Sequence, residues 1–168
     1  MTRPAGRKNR LPDLGPRGEG WVVGQLLLLG LLLVVSLPRL VDLSPRSTLD
    51  GGWLVAGAGA LISAGFVLLT AFRGLGRSLT PMPLPRDDAT LVVSGIFATI
   101  RHPIYASLIL GGLGWSALTR SLPAAGVSLL LAAFLDVKAR REEAWLADRY
   151  PGYRAYASRT RRFLPRVY

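Results

Sequence analysis

Long apolar blocks alternate with short basic ones along this chain. The first block, "WVVGQLLLLGLLLVVSL" from Trp21 to Leu37, runs 17 residues without a charge, and the second, "GGWLVAGAGALISAGFVLLTAF" from Gly51 to Phe72, runs 22. A helix needs about 20 apolar residues to cross a hydrocarbon core of roughly 30 Å, so both are predicted to span a membrane. The first is too long for a signal-peptide core, and no small-residue cleavage pattern follows it. Ile104 to Thr119 and Leu122 to Leu135 are shorter blocks of 16 and 14 residues, separated by "TRSLP". A charge at the centre of a spanning helix costs about 2.5–3.5 kcal/mol, so Arg101 and Arg120 mark the ends of the third block. The pattern predicts an all-α integral membrane protein of about four transmembrane helices, two long and then a short hairpin, with a cytoplasmic C-terminal helical tail.

Between these blocks the chain divides into a polar tail at 1–19, a two-helix membrane hairpin at 20–72 and a C-terminal core at 73–168. The tail is Pro/Gly-rich and basic, a composition that favours disorder. "RGLGRSLTPMPLPRDD" (73–88) holds three prolines and no periodicity, and is predicted to be irregular. The next twelve residues, "ATLVVSGIFATI" (89–100), are uncharged, too short to span and too apolar for a solvated loop. Irregular backbone at membrane depth is tolerated where protein buries it or where it lines a cavity, which singles this segment out. Within the second block Gly52, Ala56, Ala60 and Ala64 recur every four residues, a stripe suited to close helix packing inside the monomer. After Asp136, "DVKARREEAWLADRY" reads as a charged helix with i,i+4 pairs Lys138–Glu142 and Asp136–Arg140, broken by Pro151.

Composition then narrows the chemistry. The net charge of +11 comes from 21 Lys and Arg against ten Asp and Glu. With the N-terminus inside, eighteen of the 21 basic residues fall on the cytoplasmic side and only Arg39, Arg46 and Arg120 on the other. That distribution is the positive-inside signature, with attraction to anionic lipid headgroups as a by-product. No groove-reading or stacking motif accompanies the charge, so no nucleic-acid partner is expected. Absence of cysteine excludes thiolate chemistry, and a single histidine excludes a metal site needing two imidazoles. "GPRGEG" and "GLG" follow no strand, which removes a Rossmann reading.

That single histidine, His102, sits in "RHPIY". Taken alone, Arg101 and His102 are interfacial anchors before a helix whose first turn carries Pro103. Glu142 and Glu143 taken alone are solvated charges, and Tyr150, Tyr153 and Tyr156 an interfacial belt. Read in order, "ATLVVSGIFATIRHPIY", a short hydrophobic hairpin, "EEAWLADRYPGYRAY" and "RRFLP" resemble the isoprenylcysteine carboxyl methyltransferase and phospholipid methyltransferase superfamily, over Ala89 to Pro165.

The resemblance implies an integral-membrane methyltransferase that uses S-adenosyl-L-methionine without a Rossmann domain. It implies a cofactor site formed by Ala89, Thr90, Leu91, Val92, His102, Pro103, Ile104, Tyr105 and Glu142. Arg101, His102 and Glu142 are the catalytic candidates, with Arg101 and His102 expected to face the cofactor's carboxylate or ribose and Glu142 its ammonium. Lys138 stands where the eukaryotic carboxyl methyltransferases carry a substrate-associated arginine, and Phe97 where the family pattern has tyrosine. Lysine keeps the charge but loses the bidentate fork suited to a carboxylate. The expected partners are membrane lipids and a lipophilic small-molecule or prenylated acceptor. An isoprenylcysteine-type carboxylate is placed ahead of a phospholipid or lipid amine, with a non-catalytic membrane protein retaining the fold as a further alternative.

Overall fold

The computed structural model describes residues 14–41, 50–78, 90–165 and 167. Ala89 and most of the predicted 73–88 linker lie outside them, as does the tail up to residue 13. Six α-helices are described: α1 (Glu19–Val34), α2 (Leu37–Leu40), α3 (Asp50–Leu75), α4 (Pro103–Thr119), α5 (Leu122–Arg149) and α6 (Tyr153–Arg159). No strand occurs among the described residues. The stretches Glu19–Leu40, Gly51–Leu75 and Leu122–Arg149 are long and apolar enough to cross a membrane, and α4 is a shorter apolar helix. Side chains such as Leu27, Val55, Ile62, Phe66 and Leu129 stay exposed on these helices. That is the outward face expected of a bundle whose solvent is lipid.

The helices pack in the order α3, α4, α5, α1. Where α3 meets α4, Cβ atoms are nearly absent: one added at Gly57 would lie 2.6 Å from the backbone nitrogen of Leu118, and one at Gly114 2.8 Å from the Ala60 methyl. Small residues permit this approach, and dispersion between backbones replaces the hydrophobic drive that lipid cannot supply. The predicted stripe is half right. Ala60 and Ala64 face α4, but Gly52 and Ala56 are exposed and Gly57 is the contact glycine instead. The 3.6-residue helical turn shifts a strict four-residue spacing off the interface within two turns.

Hydroxyls fasten the remaining interfaces. Trp115 of α4 donates its indole N–H to Ser36 Oγ at 3.0 Å, and Ser116 meets Ser128 of α5 at 3.1 Å. At the hairpin Arg120 takes the left-handed conformation (φ 50°), and Ser121 Oγ accepts the Ala124 N–H at 3.2 Å to cap α5. Trp21 and Gly24 of α1 seat on the Phe134 ring of α5, with 5.5 Å between ring centroids at Trp21. The sequence reading separated a fourth span from a charged helix after Asp136. The structure joins them: α5 runs unbroken for 28 residues. Asp136 marks a change of surroundings along one helix, not its end.

Candidate active site

The start of α1, the end of α3, the start of α4 and the C-terminal half of α5 all lie at one end of an up-down bundle. Between them is a cavity of about 420 Å³. Its walls include every described residue that the sequence reading proposed: Thr90, Leu91, Val92, Phe97, Arg101, His102, Pro103, Ile104, Tyr105, Lys138 and Glu142. The irregular segment before α4 behaves as its composition requires. It is non-helical apart from one 3₁₀ turn (Gly95–Ala98), and lines the cavity.

Backbone pairing fixes that segment. Ile100 and Arg161 form an isolated parallel bridge, and the N–H groups of Arg101 and His102 donate to the carbonyls of Arg161 and Arg162 at 2.7 and 3.1 Å. The C-terminal residues therefore strap the Arg-His-Pro turn in place. Arg101 is drawn into the same strap. Its Nε donates to Glu143 Oε1 at 3.0 Å, and its Nη1 to the carbonyls of Ala157 and Thr160 at 2.9 and 2.6 Å. Only Nη2 of this guanidinium has no partner among the described residues.

His102 is buried between two carboxylates. Nε2 lies 3.2 Å from Glu143 Oε1, and Nδ1 3.6 Å from Glu142 Oε2. Its ring stacks on Tyr105 with 5.3 Å between centroids and 4° between planes. An ionised carboxylate only accepts, so the ring nitrogen facing Glu143 is the donor in that contact. Glu142 accepts from the Tyr105 hydroxyl through Oε2 at 2.9 Å, and its Oε1 has no partner among the described residues. Glu143 does not line the cavity. It is an ionic hub, bound also by Arg162 at 2.9 Å, and Arg162 reaches on to Asp136 at 2.8 Å. Two neighbouring glutamates thus divide into one that faces the cavity and one that braces its wall.

Two sequence expectations change here. Lys138 is not part of a surface ion pair with Glu142: it is 1% exposed, donates to Gln25 Oε1 at 2.7 Å, and sits 5.0 Å over the Tyr105 ring. Helical spacing placed the two side chains on one face without revealing that α1 covers it. The pair Asp136–Arg140 is present at 2.7 Å. The three tyrosines are not a belt, since Tyr150, Tyr153 and Tyr156 all line the cavity. Tyr156 donates to the Phe97 carbonyl at 2.7 Å, and burial pushes its pKa up to about 12. The Tyr153 hydroxyl is buried without a hydrogen-bond partner among the described residues, and burial, with Glu143 nearby, raises its pKa well above the usual range. Finally, Val22 and Gln25 of α1, with Leu68, Phe72 and Leu75 of α3, form cavity wall that no motif announced.

Comparison with known proteins agrees with this architecture. Residues 53–152, more than half the chain, match the family model described as phospholipid methyltransferase. The chain belongs to the phospholipid methyltransferase family. The cavity is lined by residues inside that match together with α1, Tyr153 and Tyr156, which lie outside it. Two curated relatives carry other names. The cobalt-zinc-cadmium resistance protein CzcN of Cupriavidus metallidurans is 40% identical over 83 residues, 49% of this chain and 38% of that protein. The nickel-cobalt-cadmium resistance protein NccN of Alcaligenes xylosoxydans xylosoxydans is 29% identical over 137 residues, 80% of this chain and 62% of that protein. Both matches thus cover less than two thirds of the relative's length.

Proposed function

We propose that this protein transfers a methyl group from S-adenosyl-L-methionine to a lipophilic acceptor at the cytoplasmic membrane boundary, the acceptor presenting an isoprenylcysteine-type carboxylate. One observation carries the reading. A single cavity joins a polar, aromatic wall (Glu142, His102 and the tyrosines) to an apolar wall from α1 and α3, with the buried Lys138 of α5 bonded to Gln25 of α1.

The residues present suit the cofactor. Glu142 Oε1 is available to accept from an ammonium, and the orphaned Tyr153 hydroxyl lacks a partner that a polar ligand would supply. Phe72, Phe97 and the tyrosines offer ring faces to a sulfonium, an attraction of about 0.5–2 kcal/mol. When bound, S-adenosyl-L-methionine supplies an electrophilic methyl group. The chain's own task is then to hold the acceptor in line, about 3–3.5 Å from that carbon, and to exclude water. A carboxylate acceptor is already ionised and needs no base, and the Lys138 ammonium gives it a counter-charge in a setting of low dielectric.

A lipid-amine acceptor is the second reading, favoured by His102 and Glu142 in the cavity wall, either of which could take the proton an amine must lose. The metal-resistance names of the two relatives do not alter either reading, since this sequence offers one histidine and no cysteine as soft or imidazole donors.

Purified protein in detergent is expected to bind S-adenosylhomocysteine saturably and to move labelled methyl into a prenylcysteine analogue in preference to a phospholipid extract. Label appearing as base-stable N-methyl lipid, with none as base-labile ester, would replace the first reading with the second. No saturable binding by folded protein would remove both.

A further inference from the structure

Gln25 is the one hydrogen-bonding side chain, Trp21 aside, in the apolar run from Trp21 to Val35. It sits on α1, outside the family match, and yet lines the cavity. Its Oε1 accepts from Lys138 Nζ at 2.7 Å across 113 residues of sequence. An ammonium only donates, so this contact fixes which way the Gln25 amide is turned: oxygen to the lysine, Nε2 away. Both N–H groups of Nε2 lack a partner among the described residues. Lys138 itself uses one proton on Gln25 and lies over the Tyr105 ring; no described carboxylate is within salt-bridge distance, and Glu142 acts on its charge only from farther off. The pair therefore presents several donors and no free acceptor in a largely apolar cavity. An unmatched donor set of this kind is costly unless an acceptor arrives to complete it.

We propose that Gln25 and Lys138 together form the headgroup subsite that selects an anionic, carboxylate-bearing acceptor, with Gln25 the specificity-determining residue. Gln25 does two things there. It holds the lysine ammonium with a neutral acceptor, which leaves the positive charge unspent, and it adds its own N–H donors beside it. A carboxylate can receive from both at once, and a carboxamide of the same shape cannot match the charge. At this pair an amine finds only donors and a like charge, while Glu142, one helical turn on, is left to the cofactor's ammonium. The inference rests on the methyl-transfer reading above and deepens it, because it assigns the acceptor's charge.

The test measures binding, so that it does not depend on turnover. Affinities for a prenylcysteine and for its carboxamide are compared in protein saturated with S-adenosylhomocysteine, for wild type, Gln25→Glu and Gln25→Met. Wild type is expected to prefer the carboxylate. Gln25→Glu neutralises Lys138 inside the protein, and Gln25→Met removes the donors while keeping length. Each should lower the carboxylate-to-carboxamide preference at least tenfold, with S-adenosylhomocysteine affinity unchanged. A charge-assisted hydrogen bond of about 1.5–3 kcal/mol corresponds to about tenfold or more. Both affinities falling together, or an unchanged preference, would overturn the proposal and leave Gln25 as a packing residue between α1 and α5. Absence of carboxylate preference in the wild type itself would instead refute the carboxylate-acceptor reading, and this inference with it.

Discussion

Glu143 holds Arg101, Arg162 and His102, whereas among the described residues its neighbour Glu142 is bonded by Tyr105 and approached more loosely by His102. Their substitutions should separate accordingly. Glu143→Gln leaves guanidinium charge half-buried and unmatched, which costs about 3 kcal/mol for a mostly buried pair. It should lower the unfolding temperature in detergent by several degrees, as thermal melts would show, with ligand binding lost only as folding is lost. Glu142→Gln should leave the melt within about a degree and weaken S-adenosylhomocysteine binding about tenfold by calorimetry. Equal effects on both observables would mean that the two carboxylates share one role. A second expectation concerns Tyr156, whose pKa is raised by burial to about 12 against an ordinary value of 10. Folded and unfolded states both keep the proton below pH 10, so stability there is indifferent to this group. Between about pH 10 and 12 the unfolded chain ionises first, and stability falls. Tyr156→Phe should flatten part of that alkaline decline in pH-dependent melts. At this scale His102 and Glu142 were singled out by their order in the sequence and the resemblance that order carries, since each taken alone reads as a surface group. The sequence concealed Gln25, because one polar residue in an apolar run carries no sign of the lysine 113 positions away.

The same boundary between legible and hidden recurs in the helices. Apolar run length located α1, α3, α4 and α5, since the requirement to satisfy backbone groups in lipid leaves helices as the solution. The continuity of α5 was hidden because charge reports where the membrane stops and says nothing about where intrahelical hydrogen bonding stops. The strap formed by residues 160–162 on 99–102 was hidden too, since isolated bridges carry no periodicity. What sequence spacing did signal, a small-residue contact, is decisive for α3 and α4. At Gly114 an added Cβ would meet the Ala60 methyl at 2.8 Å and the Gly57 carbonyl at 3.1 Å. Gly114→Val should force these helices apart, at a cost of about 1–3 kcal/mol or more for overpacking. Gly126→Val, where nothing lies within 4 Å, should be close to neutral. Size-exclusion profiles and melts of the two variants side by side would check this, and equal destabilisation would show that helix propensity, not interhelical distance, controls the response.

For the whole molecule, the vertical placement of the cavity follows from helix length. At 1.5 Å per residue the 28 residues of α5 extend about 42 Å, beyond a hydrocarbon core of roughly 30 Å. Its last three turns, with Lys138, Glu142 and Leu146, therefore emerge at one surface, and the cavity sits where lipid and water meet. All segments that join at that end are basic, and eighteen of the chain's 21 Lys and Arg belong to them. The positive-inside rule predicts that the cavity faces the cytoplasm, where a water-soluble cofactor and the lipid-borne acceptor proposed above would approach from opposite sides. The absence of native cysteine makes the orientation directly measurable. Arg120→Cys, in the hairpin between α4 and α5, should react with a membrane-impermeant maleimide on intact cells. Ser158→Cys, exposed on α6 at the cavity end, should react only after permeabilisation. The opposite pattern would place the cavity outside and separate it from any cytoplasmic pool of cofactor, so the labelling result bears on the chemistry as well as the topology.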